Sequence, residues 1–428
     1  MKTTPTPRSQ STLPGRDDIT RTVLPNGIII LARSNFNSPS INVSGYLLVG
    51  ALFEPDEKLG LSDYTAEMLM RGTAQRSFQQ LYDSLESAGA SFGFSSGTHT
   101  TSFGGKALAE DLDLLLGVLS ETVRTALFPS EHVERLRAQL LAQLAIRAQD
   151  TDSIAVLAFD KILYGEHPYS RPTDGYPETV QAITREDLVT FHQKYYGPRG
   201  AVITIVGAVD PDLVVEKVTQ VLGSWENPGQ PKPPALPALK PLTKTIQQTL
   251  TLPGKSQASL IMGVAGPPRQ DPDFLAVSLG NNILGQFGLY GRIGAVVREQ
   301  QGLAYYAFSQ VSGGNGPGPW YVSAGAAPEN VKKVIKLISK EIKRYIRQPV
   351  SAKELSDSQA HFIGSLPISL ETNSGVAAAL LNLERYQLGL DYYRHYPDLV
   401  RIVTPDQILE ISRRYLASGN LAVAVAGP

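Results

Sequence analysis

The sequence contains no cysteine. That excludes disulfides, thiol nucleophiles and cysteine-ligated metal, and it gives no sign of an oxidising compartment. Histidine is scarce: His99, His132, His167, His192, His361 and His395. No two are three or four positions apart, so none forms a helical metal pair. Neither sign of charge dominates. With 39 basic and 40 acidic residues the formal net charge is -1, and no basic block stands out, so no nucleic-acid footprint is indicated. No apolar run approaches the roughly 20 residues needed to span a bilayer. Residues Met1–Arg16 lack acids and are rich in Ser, Thr and Pro, without the apolar core of a secretory signal. Residues 1–18 are therefore expected to be a disordered tail. The cytoplasm is the expected compartment, an organelle stroma or matrix the alternative.

What the chain does have is length and internal repetition. At 428 residues it exceeds one ordinary domain. Six prolines fall between Pro228 and Pro241, a stretch that can be neither helix nor central strand and reads as a stiff linker. The two sides of that linker match. Tyr176–Gly207 (YPETVQAITREDLVTFHQKYYGPRGAVITIVG) aligns without a gap with Tyr396–Gly427 (YPDLVRIVTPDQILEISRRYLASGNLAVAVAG), at an offset of 396 − 176 = 220. Both segments start a helix with a capping box, Thr184-x-x-Asp187 and Thr404-x-x-Gln407, and both end in an apolar strand. Upstream, the amphipathic helix starting near Leu112 pairs with that near Val331, and the helix start at Ser130 pairs with Ser351, where Ser351-x-x-Glu354 is again a capping box. Offsets this constant indicate tandem duplication. The expected layout is a tail over 1–18, a first domain over 19–225, a linker over 226–243 and a second domain over 244–428. Each half opens with strands, continues in helices and closes on a strand. That order predicts an α+β fold with few βαβ units.

The stretch Gly60–Thr73 reads GLSDYTAEMLMRGT. It resembles the active-site helix of the pitrilysin/mitochondrial-processing-peptidase family, zinc peptidases with an inverted H-x-x-E-H motif. In that family two His bind zinc from one helical face and the Glu is the general base. Aligned on MLMRGT, the five motif positions here are Asp63, Tyr64, Thr65, Ala66 and Glu67. The family's third ligand, a Glu further downstream, falls on Gln143. All three ligand positions and the base position have thus changed. Asp63 and Glu67, spaced i,i+4, can face the same way, but two carboxylates make a poor cation site.

The resemblance covers nearly the whole chain and implies two tandem homologous domains, each an antiparallel-rich sheet packed by helices, arranged as a clamshell. Asn281–Tyr306 (NNILGQFGLYGRIGAVVREQQGLAYY) is similar to the segment in which an Arg and a Tyr, seven apart, face the zinc site from the opposite domain; here they are Arg298 and Tyr305. An Arg fork and a phenol can bind substrate carbonyls and stabilise a tetrahedral oxyanion. In two-subunit members this pair sits on the zinc-free chain. Gly285–Gly294 carries four glycines but no phosphate-binding pattern and reads as a flexible loop near the chamber. Ala90–Thr101 (ASFGFSSGTHTT) resembles the edge strand that accepts substrate by strand addition, making Phe92, Phe94 and Ser95 candidate substrate-binding residues.

The resemblance implies a zinc-free subunit of a heterodimeric processing-type metalloendopeptidase, acting in trans on a partner that carries H-x-x-E-H. No cofactor is expected in this chain and zinc is expected in the partner. Peptides or unfolded protein segments are the expected substrates, and a homodimer is possible in isolation. The alternative is a structural core or peptide-binding scaffold without proteolytic output, as the related core subunits of the cytochrome bc1 complex largely are. An enzyme using another metal at Asp63 and Glu67 is a third possibility.

Overall fold

A computed structural model describes residues 13–286 and 291–428. Two sheets account for the strands. The first contains β1 (Thr20–Val23), β2 (Ile29–Ser34), β3 (Ser40–Leu47), β4 (Ser91–Ser96), β5 (Thr101–Leu108) and β6 (Val202–Gly207). The second contains β7 (Ile246–Thr251), β8 (Ala258–Ala265), β9 (Ala304–Val311), β10 (Pro319–Ala326) and β11 (Ala422–Gly427). The spatial orders are β1-β2-β6-β3-β5-β4 and β7-β11-β8-β10-β9. Without β1 the two orders are the same, which is the structural form of the sequence repeat. Each sheet has one parallel pair, β2 with β6 and β7 with β11, among antiparallel neighbours. β4 and β9 are equivalent outer strands, each paired on one side among the described residues. The three capping boxes at Thr184, Ser351 and Thr404 form as the sequence predicts.

The closing strands β6 and β11 are buried along their whole length. Successive side chains point to opposite faces of a strand, so full burial requires cover on both. In β11, Val423 and Val425 enter the core of their own half, whereas Ala422, Ala424 and Ala426 face the other way. What covers that second face is the helix Thr151–Tyr164 from the first half, through Ala155, Ala158 and Phe159. The reverse also holds. The helix Asn373–Arg385 packs Val376, Ala377 and Leu380 against Val202 and Val206 of β6 and Leu31 of β2. These two helices are equivalent in the repeat (373 − 151 = 222). Each half therefore lends one helix to the far face of the other's sheet, and the boundaries in the chain are not the boundaries in the packing.

Polar contacts follow the exchange. Arg21 grips Glu384 with two hydrogen bonds of 2.8 Å, and Thr151 Oγ1 lies 2.8 Å from Ser259 Oγ. Of the tail expected to be disordered, residues 1–12 lie outside the described residues. Leu13–Asp18 do not fit that expectation: Leu13 packs on the Asn373–Arg385 cluster and the Arg16 backbone N–H donates to Asp391 Oδ1 at 2.9 Å. An apolar residue and a backbone donor with docking partners outweigh the composition. The linker is irregular but anchored too. Gln230 is buried, accepting from the Arg199 N–H at 3.0 Å and donating to the Arg199 carbonyl at 3.2 Å.

Candidate functional site

The helix Leu61–Met68 starts at Gly60, whose φ of 94° and contact with the Asp174 carbonyl leave no comfortable place for a Cβ. Its first N–H groups are capped by a residue that the motif does not include. Glu54 is buried, and its two carboxylate oxygens accept from Gly60 N at 3.1 Å and Ser62 N at 2.6 Å. Burial pushes this carboxyl up to about 8, against the two N–H donors that hold it down. Nothing in EPDEKLGLS marks Glu54 as a cap, because it lies outside the usual N-cap spacing. The Tyr64 hydroxyl donates to the Val133 carbonyl and ties the helix to Ser130–Arg147, which carries Gln143. Arg147 on that same helix pairs with Asp174.

Within this intact frame the position aligned with the general base carries none. Ala66 is a fully buried methyl. Asp63 and Glu67 are half-buried on one side of the helix. Burial pushes Asp63 up to about 7, the Glu67 charge adds to the rise, and the Ser96 backbone N–H opposes it. Burial raises Glu67 as well, against the nearby Arg71 guanidinium. Gln143 is exposed. Among the described residues no cluster of three or more His, Asp or Glu is placed to hold a metal ion. Two half-buried carboxyls without imidazole do not match the nitrogen and sulfur preference of zinc, so the residues present do not fit the family's metal.

Arg298 and Tyr305 lie in the other half, on irregular backbone. The short helix Arg292–Gly294 runs into a π-helical turn, Ala295–Glu299, that carries Arg298. Turns of this kind recur at functional sites. Arg292 anchors it through two bonds to Glu354, at 2.7 and 2.9 Å. Gly302, with φ 60°, ends it. In the β9–β10 ladder Tyr306 opposes Gly325 and Ala304 opposes Ala326, so Tyr305 is the extra residue of a bulge. A bulge re-aims its side chain, and Tyr305 is 77% exposed. Arg298 is exposed as well. The centre of the glycine loop expected beside them, residues 287–290, lies outside the described residues. Its two ends are pinched together at Gly285 and Gly291, where a Cβ on Gly291 would lie 2.6 Å from the Gly285 Cα.

The candidate edge strand is β4. Phe92 is buried, and the rings of Phe92, Phe94 and Phe103 pack on one another inside the first core. A segment added to this edge meets the backbone of Phe92 and Phe94, not their rings. Of the three candidates only Ser95 is exposed. Alternation explains the difference, since Phe92 and Phe94 share a face and Ser95 points away.

Comparison with known proteins agrees with this fold. The model described as "Insulinase (Peptidase family M16)" matches residues 29–175, and "Peptidase M16 inactive domain" matches residues 182–361. A relative named as an uncharacterized zinc protease of Streptomyces coelicolor is 27% identical, covering 98% of this chain and 93% of its own. One of Bacillus subtilis is 25% identical, covering 83% and 86%. A crystal structure of a peptidase M16 inactive domain from Pseudomonas fluorescens superposes with a TM-score of 0.87 at 26% identity, over 96% of this chain and 98% of that one. A protease from Helicobacter pylori, at 19% identity, shares the fold with a TM-score of 0.88 over 97% and 100%. These neighbours have the clamshell architecture expected from the sequence. Two models of one family, taken in order, account for most of both halves of the repeat, and the chain belongs to the M16 peptidase family.

Proposed function

We propose that this chain is the zinc-free subunit of a two-chain M16 metalloendopeptidase, lending Arg298 and Tyr305 to a partner chain that carries H-x-x-E-H and the zinc. The observation that carries the reading is a contrast between the two halves. Ala66, at the base position, is sealed in the core, whereas Tyr305 and Arg298 stand exposed on anchored but irregular backbone. Burying an active-site position while lifting a phenol out of a sheet edge is consistent with a role exerted on another molecule. Arg298 and Tyr305 would both donate to the substrate carbonyl oxygen as it becomes an oxyanion. The substrate, a peptide or unfolded segment, would lie between the two chains.

The test uses the full chain, purified alone and then mixed with an H-x-x-E-H homologue from the same source. Peptide cleavage should appear in the mixture only. Arg298→Ala should lower kcat by about 10²–10³, the loss seen when one oxyanion donor is removed, with the two chains still co-eluting. An unchanged rate in that variant removes Arg298 from the mechanism. A stable complex without cleavage points to the scaffold alternative.

A further inference from the structure

Between the two halves, the β4–β5 turn (residues 97–100) faces the β9–β10 turn (residues 312–318) across a cleft of about 470 Å³. The exchanged helices close its sides. At one end is Arg385, the last residue of Asn373–Arg385. Its guanidinium lies 4.4 Å from the centre of the Tyr46 ring and makes a 3.3 Å bond to Thr100 Oγ1. Its buried Nε has no hydrogen-bond partner, and no carboxylate pairs with it among the described residues. The adjacent Glu384 is taken by Arg21. Burial and the Arg385 charge lower the pKa of His99, which lines this end and bonds to the Tyr169 hydroxyl at 2.6 Å.

On another wall is Asp160, from Thr151–Tyr164. It is half-buried and lines the cleft, and no hydrogen bond or ion pair engages its carboxyl among the described residues. Tyrosine rings complete the walls: Tyr164 bonds to the Pro317 carbonyl at 3.0 Å, and Tyr386 stands beside Arg385. An unpaired guanidinium in a partly desolvated cleft is costly, and burial pushes the unpaired Asp160 carboxyl up to about 7, so that its ionisation is costly while no cation faces it. A ligand carrying both opposite charges removes both costs.

We propose that this interdomain cleft binds a short peptide with free termini, its carboxylate on Arg385 and its ammonium group toward Asp160. The guanidinium fork suits a carboxylate bidentately. The volume falls in the range of small-molecule sites and exceeds what one amino acid fills. The tyrosine faces would take the side chains. Ser96, on the cleft's rim, lies 2.6 Å from Ser62 Oγ at the start of the helix Leu61–Met68, so the bound peptide would sit one strand end from the degenerate site. The site lies wholly within one chain and needs no partner subunit.

The test is calorimetric titration of the full chain, alone, with the tripeptide Ala-Phe-Ala, its N-acetyl form, its C-terminal amide, and free phenylalanine. The unblocked tripeptide should bind. Either cap should weaken it by about tenfold or more, the loss of one charge-assisted contact. Asp160→Asn should erase the discrimination against the N-acetyl form and keep that against the amide; Arg385→Gln should do the reverse. No binding of the tripeptide at millimolar concentration overturns the proposal, as does equal binding of the capped peptides. Free phenylalanine binding as tightly overturns the assignment to a peptide. The capped ligands decide on the unmodified protein should either variant fail to fold.

Discussion

Asp63 and Glu67 stand one turn apart at the positions that the sequence resemblance aligns with the family's histidines, and what they do here is set by burial. A carboxyl raised by desolvation favours the fold while it is protonated. Its contribution is complete below its unfolded value of about 4 and is lost as pH rises through the folded value. For Asp63 that value is about 7, and for Glu54 about 8. Thermal stability should therefore fall between about pH 4 and pH 8. Asp63→Asn should flatten the lower part of that fall and leave the Glu54 part. Melting curves of both proteins across this range check it, and parallel curves would remove Asp63 as a cause. The identities of Asp63, Ala66 and Glu67 were legible in the sequence, because they lie within one short stretch. Glu54 was not, because a side chain that reaches six and eight residues ahead to backbone N–H groups leaves no spacing rule to follow.

At the scale of elements, the segment carrying Arg298 depends on the Arg292–Glu354 pair, which joins it to the helix Ala352–Ser369. The Arg292 guanidinium, with the Ser351 cap, holds the Glu354 carboxyl down to about 2. A depressed carboxyl contributes stability that is present above its unfolded value and lost as pH falls through the folded one. Urea midpoints should drop between about pH 4 and pH 2. Glu354→Gln should lie below the parent protein at neutral pH and meet it near pH 2. A variant curve parallel to the parent would show that the pair contributes nothing to acid stability. The cap at Ser351 was readable from S-x-x-E. The bulge at Tyr305 was not, because register belongs to a pair of strands and β10 sets half of it.

At the scale of the molecule, the exchange of Thr151–Tyr164 and Asn373–Arg385 makes the halves interdependent. Residues 19–225 alone would expose the face of β6 carrying Val202 and Val206, together with the apolar side of a helix whose sheet is missing. Such faces drive association. The fragments 19–225 and 244–428, expressed separately, should aggregate or lack cooperative melting. Co-expressed, they should co-purify as one complex that melts cooperatively. A first fragment that melts cooperatively on its own would show that the exchange is dispensable.

The sequence by itself determined what local order can encode. Repeated offsets near 220 marked two copies of one unit, prolines marked the junction, caps and apolar runs marked elements, and residue identities ruled the family's metal ligands out of Gly60–Thr73. Only the tertiary structure decided which helix covers which sheet. The alternation of Ala and Val in β11 shows that both faces are buried but is silent on the source of the cover, since small side chains accept any helix that approaches closely. The same holds for Arg385 and Asp160. They are 385 − 160 = 225 residues apart and line one cleft because each sits on an exchanged helix. Their lack of charged partners among the described residues is a property of three-dimensional neighbours, which composition and spacing do not record.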